Sequence, residues 1–529
     1  MKKLISDGTK FKHLKQNPTK SREESLSAYL RKIKKDGIID DVTFRKILPS
    51  GSSPGVLYGL PKVHKAGCPF RPIVSSVNTY NYNLASYLVG ILQPISTNQH
   101  TVKDSFSFAD WAKTYKHNNG IMCSLDVTSL FTNVPLDETI QICLDRLYSL
   151  PDPPQLPRSA LKDLLQFATK KSHFIFDGHY YDQIDGVAMG SPLGPVLANI
   201  FMCHFEEKWL MKSRFCPSLW FRYVDDTFTM FDSKNNANEF LSFLNSRHDS
   251  IKFTIEFEED NKIPFLDILL KRCPDNSFST SIYRKKTFTG LYTKWDSFTP
   301  RKYKINLIRT LTYRCFRICS SPSLLQATIK DLRKLLLQNG YPQGVITFNI
   351  NDVLNKNKNK SNNPVQATVP KKDILIVLPY LGLQSSQVTK RLKSCVNNFY
   401  SFVNLKIIFQ NTRRIKSFFP YKDRLNRSQR SKVIYRAGCW NCDEFYIGKT
   451  KRRLHDRKTE HFKALSKSDH SSAIADHIKT TGHDIKWDHF DILASGKTDS
   501  HCKIKETLFI QELQPSLNVN TSSEKLLLF

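Results

Sequence analysis

Residues 219–231 read LWFRYVDDTFTMF and place two adjacent carboxylates, Asp225 and Asp226, between two runs of aromatic and β-branched side chains. Such runs favour β-strands, and an Asp-Asp pair between them is typical of a hairpin turn. Two carboxylates in apolar surroundings are costly unless positive charge compensates them. Two Mg²⁺ ions would do so, because hard cations take carboxylate oxygens as ligands. The alternative is that both Asp side chains only cap the turn.

A third carboxylate lies upstream, in CSLDVTSLFTNVPLDETI at 123–140. Asp126 stands at the end of an apolar strand, and a loop and a helix that begins at Pro135 follow it. Three carboxylates on neighbouring strands suit two-metal nucleotidyl transfer, in which one metal activates a 3′-hydroxyl and the other steadies the pyrophosphate. The sequence therefore predicts Asp126, Asp225 and Asp226 as ligands of Mg²⁺ or Mn²⁺.

The charge balance indicates a polyanionic partner. Among 529 residues, 79 are Lys or Arg and 48 are Asp or Glu, which leaves a net charge of +31. Such a surplus most often serves nucleic-acid binding. The apolar fraction of 40% is enough for packed cores and argues against wholesale disorder. At roughly 150 residues per domain, the length predicts two to four domains.

The distribution of apolar residues argues against a membrane-spanning or secreted protein. The chain has no run of 18 apolar residues, so we predict no spanning helix. The N-terminus lacks the apolar stretch of a secretory signal, and the 12 Cys are therefore expected to be reduced. The close pair Cys439 and Cys442 raises the question of a metal site.

The motifs around YVDD resemble the polymerase core of reverse transcriptases. PFRPIVSS at 69–76 is similar to the fingers segment that approaches the incoming triphosphate. GVAMGSPLGPVLANIF at 186–201 is similar to the third palm motif, although Met189 stands where many members have Gln. KFTIEFEEDNKIPFLDILL at 252–270 is similar to the closing palm hairpins. These elements follow one another in the family's order.

Two phrases narrow the resemblance to Penelope-like retroelements, namely YGLPKVHK at 58–65 and NKIPFLDI at 261–268. Members of that group usually carry more sequence ahead of the fingers. The resemblance also implies roles. Phe131, five residues after Asp126, would exclude the sugar 2′-hydroxyl, the alternative being core packing. Gly190 and Ser191 would form a turn that nucleic acid approaches closely.

The same resemblance implies basic contacts to the triphosphate. Arg71 would bind its oxygens as a planar fork, the alternative being a surface salt bridge. Lys62 and Lys65 would serve similarly, or are simply solvated.

A second candidate site lies in SKVIYRAGCWNCDEFYIGKTKRRLHDRKTEHF at 431–462. Two short β-rich runs carry Tyr435 and Tyr446, and a basic helix follows. Arg457 and His461 are four residues apart and so share one face of that helix. The residues alone fit either a phosphodiester site or an ordinary strand followed by an amphipathic basic helix.

The VIY and YIG elements resemble the GIY-YIG nuclease signature, although Val433 stands where that signature has Gly. Arg457, nine residues after Gly448, matches the family's catalytic Arg. ETLFIQELQPSLNVN at 506–520 supplies the metal-binding Glu506 and, near the end of the domain, Asn518. The resemblance implies a catalytic set of Tyr435, Tyr446, Arg457, His461, Glu506 and Asn518. The resemblance implies one Mg²⁺ on Glu506, a water activated near either Tyr, and Arg457 on the phosphorane charge.

Cys439 and Cys442 fit two corners of a zinc tetrahedron. His477 and His483, in ADHIKTTGHDIKW at 475–487, are the proposed partners, and His470 could replace either. Endonuclease-bearing Penelope-like elements carry a Cys-Cys-His-His site at this place. The alternative is two reduced structural thiols with two helix-end His.

These inferences predict an α/β and α+β multidomain chain, with a right-hand polymerase, a ferredoxin-like palm and a small α/β GIY-YIG nuclease domain. The predicted units are the basic N-terminal segment and fingers at 1–110, palm at 111–275, thumb at 276–345, flexible linker at 346–372, α/β connector at 373–428 and nuclease domain with its zinc site at 429–522. ILIVLPY, in the connector, is predicted to be a buried strand.

The expected function is RNA-directed DNA synthesis by a retroelement protein, with a nuclease that nicks target DNA to prime it. The expected partners are template RNA, target DNA and deoxynucleoside triphosphates, with no membrane. We expect action in the nucleus on chromosomal DNA, without a clear targeting signal. The alternative is a catalytically inert or domesticated nucleic-acid-binding relic.

Overall fold

The structure is a computed structural model, and it describes residues 2–63, 67–117, 120–358, 372–400, 402–411, 418, 423, 425–466 and 472–518.

The strands, numbered along the chain, are β1 Phe11–Leu14, β2 Gly55–Pro61, β3 Phe70–Ser75, β4 Ile121–Val127, β5 Ser172–Phe176, β6 His179–Gln183, β7 Leu219–Tyr223, β8 Asp226–Phe231, β9 Phe253–Phe257, β10 Lys262–Phe265, β11 Ile268–Arg272, β12 Phe278–Ile282, β13 Lys372–Pro379, β14 Val403–Gln410, β15 Ser431–Gly438, β16 Phe445–Arg453 and β17 Asp491–Ser495.

The α-helices, numbered in the same way, are α1 Lys2–Ile5, α2 Thr19–Lys35, α3 Asp41–Ile47, α4 Tyr82–Leu92, α5 Ser105–Thr114, α6 Leu130–Asn133, α7 Leu136–Tyr148, α8 Arg158–Thr169, α9 Gly194–Trp209, α10 Lys234–Asn245, α11 Arg301–Ile318, α12 Pro322–Gln338, α13 Gln343–Lys358, α14 Gln384–Phe399, α15 Leu454–Ala464, α16 Ala473–Thr481 and α17 Asp499–Leu513. None of the described helices is long and apolar enough to cross a bilayer.

The palm is an antiparallel sheet in the order β7-β8-β4-β9. Its strands and helices follow the chain order β-α-β-β-α-β, and the first strand lies between the third and the fourth. This is the ferredoxin-like arrangement predicted for the palm. Both faces are covered, because Cys123 and Leu125 pack against the helices while Met122 packs into a second core with α5 and the β10-β11-β12 sheet.

The fingers sheet has the order β1-β6-β5-β2-β3. Its strands β5 and β6 come from the range 111–275 that the sequence analysis gave to the palm. The predicted boundary therefore differs from the structure, because β5 pairs in parallel with β2, and β6 pairs with β1. Pairing between distant segments of this kind leaves no signal in local composition.

The thumb is a helical unit built from α11, α12 and α13 around buried Ile308, Leu336, Ile346 and Ile350. The linker predicted at 346–372 was wrong over residues 346–358, which continue α13. Apolar side chains at helical spacing anchor this Asn-rich and Lys-rich stretch, and tertiary packing overrides its polar composition. The rest of the predicted linker, residues 359–371, lies outside the described residues.

The connector is a parallel pair, β13 and β14, joined through α14. The strand predicted at ILIVLPY and the α/β composition of the connector agree with this arrangement. The prediction of a buried strand at ILIVLPY was wrong, because Leu375 is 58% exposed and Val377 49% exposed on β13.

The C-terminal unit, residues 425–518, has an antiparallel sheet in the order β16-β15-β17. Buried Val433, Tyr435 and Leu454 pack on one side of the sheet with α15 and α16. On the other side, Ile434, Ile447 and Cys502 pack with α17.

Candidate active sites

The three predicted carboxylates meet at one edge of the palm. Asp126 on β4 and Asp226 on β8 are directly paired in the antiparallel register, so their side chains share one face of the sheet. Asp225 occupies the two-residue turn between β7 and β8, and its carbonyl accepts a hydrogen bond from the Val127 N–H at 3.2 Å. Strand pairing thus brings together residues that are far apart in sequence.

The turn is conformationally unusual. Val224, its first residue, has φ 59°, a left-handed value that β-branched residues rarely adopt. Hairpin turns of this kind usually place Gly there. The strained residue lies immediately before Asp225.

The carboxylate cluster carries concentrated negative charge. Partial burial in the cleft, together with the charges of Asp225 and Asp126, raises the pKa of the Asp226 carboxyl to about 6. Lys285 opposes this rise. A set of oxygen donors that repel one another fits a hard divalent cation, which would relieve the repulsion.

Gly190 lies where the palm meets the fingers. Its φ is 128°, and a Cβ there would stand 2.2 Å from the Val74 carbonyl oxygen on β3. The Ser76 hydroxyl donates to the Gly190 carbonyl, and Ser191 begins the turn into α9. Gly190 is therefore required for close backbone contact between the two subdomains.

The predicted nucleotide contacts differ in their surroundings. Phe131 is half-buried on α6, and its ring lies 3.7 Å from where a Cβ on Gly194 would stand. Arg71 is exposed on β3, the strand that meets Gly190, and Lys62 is half-buried just after β2. Lys65 lies outside the described residues.

The second site gathers the predicted Tyr, Arg and His side chains. Tyr435 is fully buried, and its hydroxyl lies 2.8 Å from His461 Nε2 and accepts from Arg457 Nε at 3.2 Å. The Tyr446 ring lies 5.7 Å from the His461 ring. A Cβ on Gly448 would stand 2.7 Å from the Tyr435 hydroxyl, so only Gly fits there.

A hydrogen-bonded chain leads away from Tyr435. Because the Tyr435 oxygen already accepts from Arg457, its proton points to His461 Nε2, the acceptor offered by the described residues. His461 Nδ1 then carries a proton and donates to Ser472 Oγ at 2.8 Å. Burial and the Arg457 charge lower the pKa of His461 to about 3, which keeps the imidazole neutral.

Glu506 and Asn518 occupy different positions around this cluster. Glu506 on α17 is half-buried, and burial raises the pKa of its carboxyl. Asn518 uses its side-chain amide on the backbone of Ile447, accepting from the N–H at 2.9 Å and donating to the carbonyl at 2.8 Å. Asn518 thus braces β16 between Tyr446 and Gly448.

The four predicted zinc ligands come together. The ligand atoms of Cys439, Cys442, His477 and His483 all lie within 4.8 Å of one another. Buried His483 Nδ1 has no hydrogen-bond partner among the described residues, while Glu444 lies 3.1 Å from His477 Nδ1. Two thiols, two imidazoles and a carboxylate behind one His fit a tetrahedral Zn²⁺. His470, the alternative ligand, lies outside the described residues.

Comparison with known families agrees with the palm geometry. Residues 63–263, which contain the three carboxylates and the Gly190 turn, match the family model of reverse transcriptases, RNA-dependent DNA polymerases. This part of the chain is therefore similar to reverse transcriptases. Residues 291–351, which cover α11, α12 and the start of α13, match the animal helix-turn-helix domain. No curated protein matches the chain.

Solved structures similar to the chain include two telomerases and a viral polymerase. Apo telomerase from Candida tropicalis, truncated from the C-terminal domain, is 15% identical with a TM-score of 0.34, covering 43% of this chain and 56% of that one. Telomerase from Candida albicans with a fragment of telomeric RNA is 12% identical with a TM-score of 0.39, covering 57% of each. Sicinivirus RNA-dependent RNA polymerase is 13% identical with a TM-score of 0.39, covering 59% of this chain and 71% of that one. The chain thus spans just over half the length of either telomerase.

We expect the carboxylate cluster of Asp126, Asp225 and Asp226 to bind Mg²⁺ more tightly as pH rises. Since the pKa of Asp226 is raised to about 6, its carboxyl is protonated below that pH and competes poorly for a cation. The Mg²⁺ concentration that half-saturates primer extension should fall between about pH 5 and pH 8, most steeply near the pKa. Titrating Mg²⁺ at several pH values measures this, and a half-saturation point independent of pH would contradict it.

The sequence analysis missed residues that act through others. Arg222 and Glu206 form a fully buried ion pair beneath the Val224–Asp225 turn, and Ser472 Oγ lies 2.8 Å from His461 Nδ1. A buried Arg in a strand is detectable as a charged residue on an apolar face, and FRYVDD does show it. Ser472 lies in a polar loop and gives no comparable signal.

Proposed function

We propose that this chain is the RNA-directed DNA polymerase of a Penelope-like retroelement. The observation that carries the proposal is the pairing of Asp126 with Asp226 beside Asp225, within a region that matches reverse transcriptases. The Penelope-like assignment is supported by YGLPKVHK and NKIPFLDI. Template RNA and deoxynucleoside triphosphates are the proposed ligands, and chromosomal DNA in the nucleus is the proposed place of action.

Asp126, Asp225 and Asp226 would hold Mg²⁺, which when bound supplies charge stabilisation for nucleotidyl transfer. The chain's own contribution is placement. The β4-β8 register sets the separation of two carboxylates, and the hairpin turn sets the third. The Gly190 turn keeps the palm and β3 in contact, so Arg71 extends from a strand fixed to the site. Positioned groups of this kind lower a reaction barrier without reorganising.

Replacing Phe131 with Ala is expected to raise ribonucleotide incorporation relative to deoxyribonucleotide incorporation by about tenfold or more, since the resemblance implies that this half-buried ring excludes the 2′-hydroxyl. Competition between the two nucleotide types on one template–primer measures the ratio. Phe131→Leu, which keeps bulk, serves as the control. An unchanged ratio in a variant that still extends primers would leave Phe131 a packing residue.

We also propose a second activity, nicking of target DNA by the C-terminal unit, which would prime reverse transcription. The cluster of Tyr435, Arg457 and His461 with Glu506 nearby supports this. The resemblance of VIY and YIG to the GIY-YIG signature supports it further. A phosphodiester site needs a cation for the developing charge and polar groups that position the attacking water, and Arg457 and the Tyr435 hydroxyl would serve in these two ways.

In this proposal Glu506 would hold Mg²⁺, which when bound lowers the cost of charge on the phosphate oxygens. Arg457 would stabilise the same negative charge on the phosphate oxygens. The Tyr435 hydroxyl donates to His461 Nε2, and the His461 Nδ1–H donates to Ser472 Oγ. These bonds hold the phenol oxygen in one orientation, from which it would position the attacking water.

Arg457→Ala is expected to reduce DNA nicking by about a hundredfold or more, because it removes the charge that would stabilise the transition state. The fold should survive, because the Tyr435 hydroxyl loses one donor but keeps its hydrogen bond to His461. Conversion of supercoiled plasmid to the nicked form with Mg²⁺ measures the rate. Lys463→Ala, an exposed position on the same helix, removes the same charge and should keep the wild-type rate. Undiminished nicking by Arg457→Ala would contradict the role of that residue.

A further inference from the structure

The Val224–Asp225 turn is hydrogen-bonded to the buried guanidinium of Arg222. Arg222 and Glu206 are 0% and 1% exposed, and their ion pair measures 2.6 Å from Nε to Oε1. Arg222 Nη2 reaches Glu206 Oε2 at 3.1 Å and Cys203 Sγ at 3.3 Å. Nη1 donates to Asn199 Oδ1 at 3.0 Å and to the Val224 carbonyl at 3.2 Å. All five N–H groups of the guanidinium therefore have a partner.

Glu206 is equally well satisfied. Its Oε1 also accepts from Trp220 Nε1 at 2.8 Å, and its Oε2 accepts from Asn98 Nδ2 at 2.8 Å. A buried ion pair is often no more stabilising than apolar residues of the same volume, so stability alone does not account for it. What the pair adds is a fixed geometry, since every polar atom in it is held.

The hydrogen bond from Arg222 to the Val224 carbonyl connects this buried ion pair to the turn that carries Asp225. The Val224 carbonyl belongs to the peptide bond that leads into Asp225, so its hydrogen bond fixes the plane of that peptide. Val224 is held at φ 59°, a conformation that costs free energy for a β-branched residue and persists only when its surroundings hold it. Arg222 supplies such a hold from inside the palm.

The other end of the network is anchored on α9, the helix that the Gly190–Ser191 turn opens. Asn199, Cys203 and Glu206 lie on successive turns of that helix. The backbone of Arg222 is fixed as well, donating to the His100 carbonyl at 2.8 Å and accepting from the Val102 N–H at 2.8 Å. The Val224–Asp225 turn is thus tied to α9 through Arg222.

We propose that Arg222 is a positioning residue of the metal site: through the Val224 carbonyl it holds the strained turn that presents Asp225 beside Asp126 and Asp226. Arg222 touches no reacting atom and acts through the turn. The proposal rests on the proposed polymerase function for its purpose, but its geometry concerns metal binding alone.

The test is the affinity of the purified full chain for Mn²⁺, measured from the electron paramagnetic resonance of free Mn²⁺, counting only sites that Asp225→Asn removes. Arg222→Lys keeps the charge beside Glu206, but a single ammonium cannot also reach the Val224 carbonyl. We expect it to weaken Mn²⁺ binding about tenfold. Trp220→Phe is the matched control, because it removes a donor to Glu206 without touching the turn. It should leave the affinity within about twofold.

A rescue separates positioning from a purely structural role. Gly adopts the left-handed conformation at no steric cost, so Val224→Gly lowers the demand on Arg222. Adding Val224→Gly to Arg222→Lys should recover most of the lost Mn²⁺ affinity, whereas a merely destabilised palm would not respond. If Arg222→Lys does not fold, Asn199→Ala provides a milder test. It removes an acceptor of Arg222 Nη1, the nitrogen that also donates to the Val224 carbonyl, and should weaken Mn²⁺ binding about twofold to threefold.

Equal effects of Arg222→Lys and Trp220→Phe, absence of rescue by Val224→Gly, or absence of any Asp225-dependent Mn²⁺ site would overturn the proposal. If the wild-type chain shows Mn²⁺ binding that depends on Asp225 and Arg222 but extends no primer, the polymerase proposal is contradicted. The positioning role of Arg222 is then still supported.

Discussion

Replacing Asp225 with Asn is expected to lower primer extension by about three orders of magnitude, because losing one metal ligand removes charge stabilisation of about 4 kcal/mol. The substitution is nearly isosteric. The contact that ties residue 225 to β4 is made by its backbone carbonyl, which accepts from Val127, so the hairpin should survive. Extension of a labelled primer, with thermal unfolding measured in parallel, checks both expectations.

Asp232→Asn is the control for this variant. Asp232 is exposed just beyond the end of β8, so its substitution removes the same charge from the same hairpin but away from the cluster. It should extend primers at the wild-type rate. Equal activity of Asp225→Asn and wild type would show that the carboxylates only cap a turn, which was the alternative open from the sequence.

Cys442→Ser is expected to abolish zinc binding and cooperative unfolding of the C-terminal unit. A structural zinc site contributes on the order of 10 kcal/mol to folding, more than a unit of this size gains from its core. Cys439 and Cys442 lie between β15 and β16, which carry Tyr435 and Tyr446, so DNA nicking should be lost as a consequence. Zinc content of the purified chain, measured by mass spectrometry of the metal, and limited proteolysis test this.

Cys395→Ser, at an exposed position on α14, provides the thiol-loss control and should keep both zinc and fold. A zinc-free wild-type chain with a folded C-terminal unit that nicks DNA would contradict the Cys-Cys-His-His site. It would leave the nuclease proposal intact, since Arg457→Ala tests that separately.

The structure brings the predicted carboxylates together, whereas two predicted domain boundaries differ from the structure. Asp126, Asp225 and Asp226 are detectable because each ends or begins an apolar alternating strand, and the structure adds their register. The range of the fingers was wrong because β5 and β6 join a sheet whose other strands are far away in sequence. The helical part of the predicted linker was wrong because Ile346 and Ile350 pack into the thumb core despite polar neighbours.

Residues that hold the backbone beside the predicted site residues could not be predicted in the same way. Arg222 is recognisable as a charge in an apolar strand, but which carbonyl it holds depends on the φ of Val224 and on where α9 lies. Asn518 was predicted as part of the nuclease chemistry, whereas its amide is bonded to the Ile447 backbone. Roles of this kind depend on distances between segments, which motif spacing does not encode.

The most direct test of the central proposal is primer extension by the purified full chain on an RNA template with Mg²⁺ and deoxynucleoside triphosphates. We predict complementary DNA products from the wild-type chain and from Asp232→Asn, and none from Asp225→Asn. Folded wild-type chain that binds the template–primer yet adds no deoxynucleotide would contradict the proposal and favour an inert nucleic-acid-binding relic.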